Sequence, residues 1–175
     1  MSPLPDRRTL LRAGLATAVP VAVAAHAAAP AAAEPFSLRE DDVVRWITAY
    51  LAAWRNKDAD AAVALFTPDA VYQAVPGVAQ QTFQGRQAIG DYWRGVTAPQ
   101  SDLSARYGRP IVQGNRAVVE LWVQLQVPGD GGTRQWITLI ETNVLRFEAP
   151  GLVSCNVEYW NLQSGRIDPP AGWGH

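Results

Sequence analysis

The chain is short of the residues on which many enzyme chemistries depend. Its 175 residues include one cysteine, Cys155, so no disulfide can form within it. Both histidines lie at the extremes, His26 near the start and His175 at the last position. A histidine zinc site or a Ser-His-Asp triad inside a domain is therefore excluded. A glycine-rich phosphate loop is missing too, because Gly129, Gly131 and Gly132 fall in a hairpin turn and not ahead of a helix. Charge is sparse: the net formal charge is −1, which favours neither nucleic acid nor an anionic membrane surface as partner.

What is present begins with a leader. Asp6-Arg7-Arg8-Thr9-Leu10-Leu11-Arg12 is a paired-arginine head, and a mild apolar run from Ala13 to Ala25 follows. Ala25-His26-Ala27 and Ala31-Ala32-Ala33 offer small-residue cleavage sites, after Ala27 or Ala33. This is the layout of an export signal of the twin-arginine type over residues 1–33, with an exported or secreted product. The run is too short and too rich in alanine to span a membrane, so no membrane association is expected after cleavage. Cleavage after Ala33 leaves 142 of the 175 residues, 34–175, enough for one compact domain. The leader's three Arg and one Asp take +2 from the net −1, leaving the mature part at −3.

The most informative stretch is Trp136 to Asn161, two long β runs joined by Glu148-Ala149-Pro150-Gly151. Side chains alternate faces on a strand. One face of the first run carries Ile137, Leu139, Glu141, Asn143, Leu145 and Phe147; the matching face of the second carries Leu152, Ser154, Asn156, Glu158 and Trp160. Two carboxyls and two amides amid apolar ends suit a ligand pocket. The same pattern also fits a solvent face, with Ile140, Val144, Val153, Val157 and Tyr159 as the core side.

Ahead of it, Ser37-Leu38-Arg39-Glu40 reads as a capping box that opens a helix with Val43, Ile47, Tyr50 and Trp54 on one stripe. Asn56-Lys57-Asp58 breaks that helix, and a short second one runs from Asp60 to Phe66. Strands are expected at Ala70–Val75 and Gln80–Gln84, then a third helix from about Arg86 to Gly95 with Ile89 and Trp93 one turn apart. Leu103–Val112 and Arg116–Val127 complete four long strands, and a Pro/Gly-rich tail follows from about residue 164. Helices first and long antiparallel strands after them predict an α+β fold, with the helices covering one face of a curved sheet and a pocket between. Seven tryptophans are a heavy load for such a chain, so some should line that cavity.

Three segments, Y-L-A-A-W-R-N-K-D-A-D-A-A-V-A-L-F-T-P-D-A-V-Y, F-Q-G-R-Q-A-I-G-D-Y-W and L-R-F-E-A-P-G-L-V-S-C-N-V-E-Y-W-N, together resemble the SnoaL-like branch of the NTF2-like superfamily, over roughly Leu38 to Leu162. The resemblance implies a cone-like α+β fold: a strongly curved, mostly antiparallel sheet against three N-terminal helices, with an internal pocket. It does not fix a function, because the superfamily hosts isomerases, cyclases, dehydratases, epoxide hydrolases and non-enzymatic binders. The ketosteroid isomerase pattern puts its tyrosine at Tyr50 and its second acid at Asn143. Its base falls at Ala74, which has no proton site. The limonene epoxide hydrolase pattern puts one carboxylate at Glu158, but its arginine and other carboxylate fall at Leu121 and Val123. Both patterns turn Glu141, Asn143, Asn156 and Glu158 inward, along with Leu121, Val123 and Leu125.

Three functions stay open: a cofactor-independent, metal-free enzyme with Glu158 as acid/base and Tyr50 and Asn143 holding an oxygen; a binding protein for a small apolar organic ligand; or a structural domain whose pocket is plugged. Expected lining residues are Glu141, Asn156, Trp160, Trp54, Tyr72 and Trp93, besides Leu121, Val123 and Leu125. An open pocket with Glu158 near Tyr50 favours the enzyme, an open pocket with Glu158 paired off favours the binder, and a filled one the structural domain. The resemblance also implies a homodimer through the sheet face that carries Glu120, Trp122 and Gln124.

Overall fold

A computed structural model describes residues 36–175; the export signal expected over residues 1–33 lies outside the described residues. Helix α1 (Glu40–Asn56) buries Val43, Trp46, Ile47, Tyr50, Leu51 and Trp54, a stripe at helical period that faces the sheet. Its start differs from the expected capping box. Arg39 is the N-cap, and its backbone N–H donates to Asp42 Oδ2 at 2.9 Å, so Asp42 takes the reciprocal role assigned to Glu40. Lys57, at φ 54°, ends the helix in the left-handed conformation. Asp58 then caps α2 (Ala59–Ala64) by accepting from the Ala61 N–H at 2.8 Å. This helix is shorter than the expected Asp60–Phe66, because Phe66 already belongs to β1 (Phe66–Gln73).

A 3₁₀ turn at Ala79–Gln81 takes the first half of the expected Gln80–Gln84 strand and leaves β2 as Thr82–Gln84. Helix α3 (Gly85–Thr97) is longer at both ends than expected and buries Ile89, Gly90, Trp93 and Thr97. The predicted strand Leu103–Val112 is broken into β3 (Ser101–Tyr107) and β4 (Ile111–Gln113). The break has two causes: Pro110 has no N–H to give the ladder, and Gly108 lies against the chain's own tail. A Cβ on Gly108 would stand 3.0 Å from the Gly174 Cα.

The long strands β5 (Arg116–Pro128), β6 (Arg134–Ala149) and β7 (Leu152–Ser164) form the antiparallel body of a seven-stranded sheet in the order β2-β1-β7-β6-β5-β3, with β4 on β5. The β6–β7 hairpin turns at Pro150-Gly151, as the sequence predicts, with Gly151 at φ +79°. β1 joins β7 in parallel, the one parallel pairing in the sheet. The helices pack on one face. Trp46 stacks on Tyr50 at 4.9 Å and meets Phe66 and Phe147 edge-on at 5.8 and 6.0 Å.

Alternation on β7 departs from the sequence reading. Arg146 pairs with Cys155 but Phe147 with Val153, so Ser154 is an extra residue in a bulge. The bulge reverses the face beyond it. Val153 therefore joins Phe147, Asn156 and Glu158 on the inner face, fully buried, whereas Leu152 and Ser154 leave that face half-buried.

The outer face is not bare. After β7 the tail folds back across β5 and β6: Trp122 Nε1 and Gln124 Nε2 donate to the Ile167 carbonyl at 2.7 and 2.8 Å. Thr138 Oγ1 donates to the Gly165 carbonyl at 2.8 Å and accepts from the Ile167 N–H at 2.9 Å. Trp173 packs edge-on against Trp122 at 5.6 Å. Trp122 and Gln124, expected to point outward, do so but are buried by this strap; Glu120 stays exposed.

Candidate active site

The helices and the concave face of the sheet enclose a cavity of about 550 Å³. Its walls come from α1 (Tyr50, Trp54), β1 (Tyr72), α3 (Tyr92, Trp93), β6 (Ile137, Leu139, Glu141) and β7 (Glu158, Trp160, Leu162). Exposure rises along β7 from Glu158 at 6% to Trp160 at 46% and Leu162 at 51%, so the mouth is at the C-terminal end of that strand and the carboxyls are at the inner end. Trp160 is pinned at the rim, its Nε1–H donating to the Ala74 carbonyl at 2.7 Å. Trp54 Nε1 likewise donates to Gln100 Oε1 at 2.7 Å.

At the inner end three polar groups converge on Glu158 Oε1. Tyr50 Oη donates to it at 2.9 Å, Asn156 Nδ2 donates at 3.1 Å, and Tyr72 Oη makes a short bond to the same atom. The two hydroxyls are themselves 2.9 Å apart, so three oxygens form a closed triangle. Asn143 Nδ2 makes a matching bond to Glu141 Oε1. Asn143 pairs directly with Glu158 across the β6–β7 ladder and Glu141 with Trp160, which makes the two carboxyls diagonal neighbours on one sheet face. Neither Oε2 has a hydrogen-bond partner among the described residues.

Desolvation dominates the electrostatics. Burial pushes Glu158 up to about 7, against the pull of the Tyr72, Tyr50 and Asn156 hydrogen bonds, which favour its ionised form. Burial and then repulsion from Glu158 hold Glu141 well above the usual carboxylate range, with only the Asn143 amide opposing them. Burial first, and the Glu158 charge second, keep Tyr50 and Tyr72 protonated as donors. No lining residue is basic, so neither carboxyl has a counter-cation. Among the described residues no three His, Cys, Asp or Glu side chains converge as metal ligands would.

Of the residues singled out from the sequence, Tyr50, Trp54, Tyr72, Trp93, Glu141, Glu158 and Trp160 line the cavity. Five others do not. Asn143 and Asn156 lie fully buried behind the carboxyls, their amides committed to them and their Oδ1 atoms without partners. Leu121, Val123 and Leu125 are inward but stand in the packed core, because β5 is one strand removed from the β6–β7 wall. Tyr50 and Asn143 therefore give their donors to carboxyls, not to the ligand oxygen they were expected to hold. The sequence reading missed Tyr92, which stacks on Phe83 at 4.3 Å and tilts against Tyr72 at 5.4 Å. The only signal for it was its place beside Trp93, since on the helix it is off the Ile89–Trp93 stripe.

Several solved structures share this architecture. SalBIII, an epoxide hydrolase/cyclase-like enzyme of pyran ring formation in the polyether salinomycin, matches at a TM-score of 0.60 and 18% identity, over 72% of this chain and 99% of its own. An LEH-like epoxide hydrolase of M. tuberculosis matches at 0.53 and 19% identity, over 69% of this chain and 84% of its own. A computationally designed 17-OHP binder matches at 0.59 and 16% identity, over 71% of this chain and 98% of its own. At these identities the likeness is one of fold, and the fold serves enzymes and a binder alike. No curated protein is matched by the chain. The SnoaL-like domain profile, however, matches residues 47–154, more than half of the sequence and every element from α1 to the start of β7. The chain belongs to the SnoaL-like domain family.

Proposed function

We propose that this protein is a cofactor-independent enzyme of the isomerase, cyclase or hydratase type, acting on a small, largely apolar organic molecule with Glu158 as its proton-transfer group. One observation carries the reading: Glu158 stands at the inner end of an open cavity, with no cation to fix its charge and with Oε2 unengaged. A group poised at about 7 exchanges protons in both directions near neutrality. In this role Tyr50, Tyr72 and Asn156 are positioning residues that hold Oε1 and leave Oε2 to the substrate. Glu141, kept neutral by burial, is the matching donor. A hydroxyl or water that gives its proton to Glu158 adds to an electrophilic carbon, and the oxygen released there takes the Glu141 proton. Ring closure and epoxide opening both have this balance.

The plugged alternative has no support in a cavity of about 550 Å³, and Glu158 is 2.9 Å from Tyr50, the arrangement that favours chemistry over binding alone. We also propose export through the leader. A pair of chains formed through the outer sheet face would have to use the strap that covers it. The test is turnover of a panel of aryl and hydroxy-epoxides by wild type and Glu158→Gln. Loss of the carboxyl should lower the rate by about 10²–10⁴-fold while binding persists. Full turnover in Glu158→Gln ends the proposal.

A further inference from the structure

The cavity's composition narrows what it can take. Of its lining residues three are acidic and none is basic: Glu141 and Glu158 at the inner end, Asp91 at the mouth. Asp91 is already ion-paired to Arg94 at 2.6 Å outside the cavity, whereas the two glutamates have no cation at all. Anionic ligands such as phosphates, carboxylates and nucleotides have nothing to bind them. Two buried carboxyls, at 2% and 6% exposure with their Oε2 atoms unpartnered, are the kind of group that a protein interior tolerates poorly unless neutral or paired. Around them the wall is aromatic. Tyr50, Tyr72 and Tyr92 approach from three different elements, and Trp93 meets Tyr50 edge-on at 4.9 Å. Aromatic walls with a carboxylate at one end suit an alkylated ammonium, whose charge the rings attract and whose weak hydration makes its burial less costly.

We infer that the natural ligand is an organic cation: an apolar molecule bearing a tertiary or quaternary amine, with its ammonium against Glu158 and Glu141 and its apolar part along the aromatic wall of Tyr92, Trp93 and Trp160. This rests on the same site as the proton-transfer reading and adds to it the class of substrate, whose own charge would hold Glu158 as the carboxylate, the form that accepts a proton. Binding converts a neutral Glu158 to the carboxylate, which pairs with the ammonium, and the displaced proton goes to solvent. The groups facing Glu158 are the Tyr50, Tyr72 and Tyr92 hydroxyls, the Asn156 amide and Glu141; none of them is a cation that could already neutralise it.

Benzyltrimethylammonium and neopentylbenzene, its uncharged carbon isostere, separate charge from shape. Titration calorimetry and tryptophan fluorescence on the protein should show the cation bound at least roughly tenfold more tightly than the isostere at pH 8. At pH 6, buffers of different ionisation enthalpy should reveal release of close to one proton per cation bound. Glu158→Gln should bring the two affinities within about threefold and abolish proton release; Glu141→Gln, should the first variant fold poorly, should halve the preference or more. An isostere that binds as tightly as the cation, or cation binding without proton release at pH 6, overturns the assignment. If the isostere alone binds, the ligand class is wrong and the proton-transfer reading stands. If neither enters, both readings fall.

Discussion

Glu158→Gln should stabilise the protein by an amount that grows as the pH rises from 5 to 7 and levels off above 7. The sign follows from the shift. Glu158 titrates at about 7 in the fold against 4.5 for an unperturbed glutamate, so the folded state holds the proton more tightly than the unfolded chain. The stability this gives is fully present below pH 4.5 and is lost as the pH rises through 7. At 1.36 kcal/mol per unit, the 2.5 units between 4.5 and 7 amount to about 3 kcal/mol. Glutamine keeps the shape. Its Oε1 accepts from Tyr50, Tyr72 and Asn156 as the acid does, and its amide takes the place of the unengaged Oε2. Having no proton to lose, it escapes the loss. Glu141 is likewise pushed up, first by burial and then by repulsion from Glu158, so the variant also relieves part of its shift. Urea unfolding followed by tryptophan fluorescence, at half-unit steps from pH 5 to 8.5, gives the difference between variant and wild type at each pH. That difference should rise from about 0.8 kcal/mol at pH 5 to about 3 kcal/mol above pH 7, with equal slopes in urea. A flat difference, or one that falls with pH, refutes the account of Glu158 as an unpaired buried carboxyl.

Tyr72→Phe removes a donor that favours the carboxylate, so Glu158 should titrate above 7, visible in the ¹³C shift of labelled glutamate; a downward move contradicts the hydrogen-bond assignment. Truncation after Ser164 takes away the strap carbonyls that satisfy Trp122, Gln124 and Thr138. With the strap gone these groups meet water, so the loss is the burial of the Trp122 ring and about 0.5–1.5 kcal/mol per hydrogen bond; the midpoint in urea should drop and the tryptophan emission shift to the red, and an unchanged midpoint means that the strap adds no stability. Replacing Arg7 and Arg8 by Lys should stop export by the twin-arginine route, and unchanged appearance of the protein outside the cytoplasm would show that the leader is of another kind.

The parts of the fold legible in the sequence were those set by local period. The apolar stripe of α1 and the turn at Pro150-Gly151 follow from local pattern; spacing puts Glu141, Asn143, Asn156 and Glu158 on shared strand faces, and the family resemblance turns those faces inward. What was hidden depends on contacts far along the chain. The bulge at Ser154 reverses one strand face, and nothing in L-V-S-C-N announces it. The split at Gly108–Pro110 is plain only once Gly174 lies against it. The strap itself reads as a loose Pro/Gly tail: the Gly165 and Ile167 carbonyls leave no mark on side-chain pattern, and Trp173 meets Trp122 only through a contact far along the chain. Within the site, Glu158 and Tyr50 were legible as a pair through the family resemblance, since period alone fits Tyr50 as an ordinary core residue. The reassignment of Asn143 was not, because the direction an amide points is settled by packing and not by which face its Cα occupies.

The parallel pairing of β1 with β7 has a consequence for how the chain reaches this state. Tyr72 and Glu158 are 86 residues apart, and their bond forms only when the last strand docks beside the first. Until then Glu158 lies in water and behaves as an ordinary carboxylate. Closure of such a distant contact is slow compared with the hairpin β6–β7, and folding near pH 6 draws close to one proton for Glu158 out of the buffer. A pH indicator mixed with refolding protein would therefore time the birth of the site itself, separately from the growth of the sheet around it.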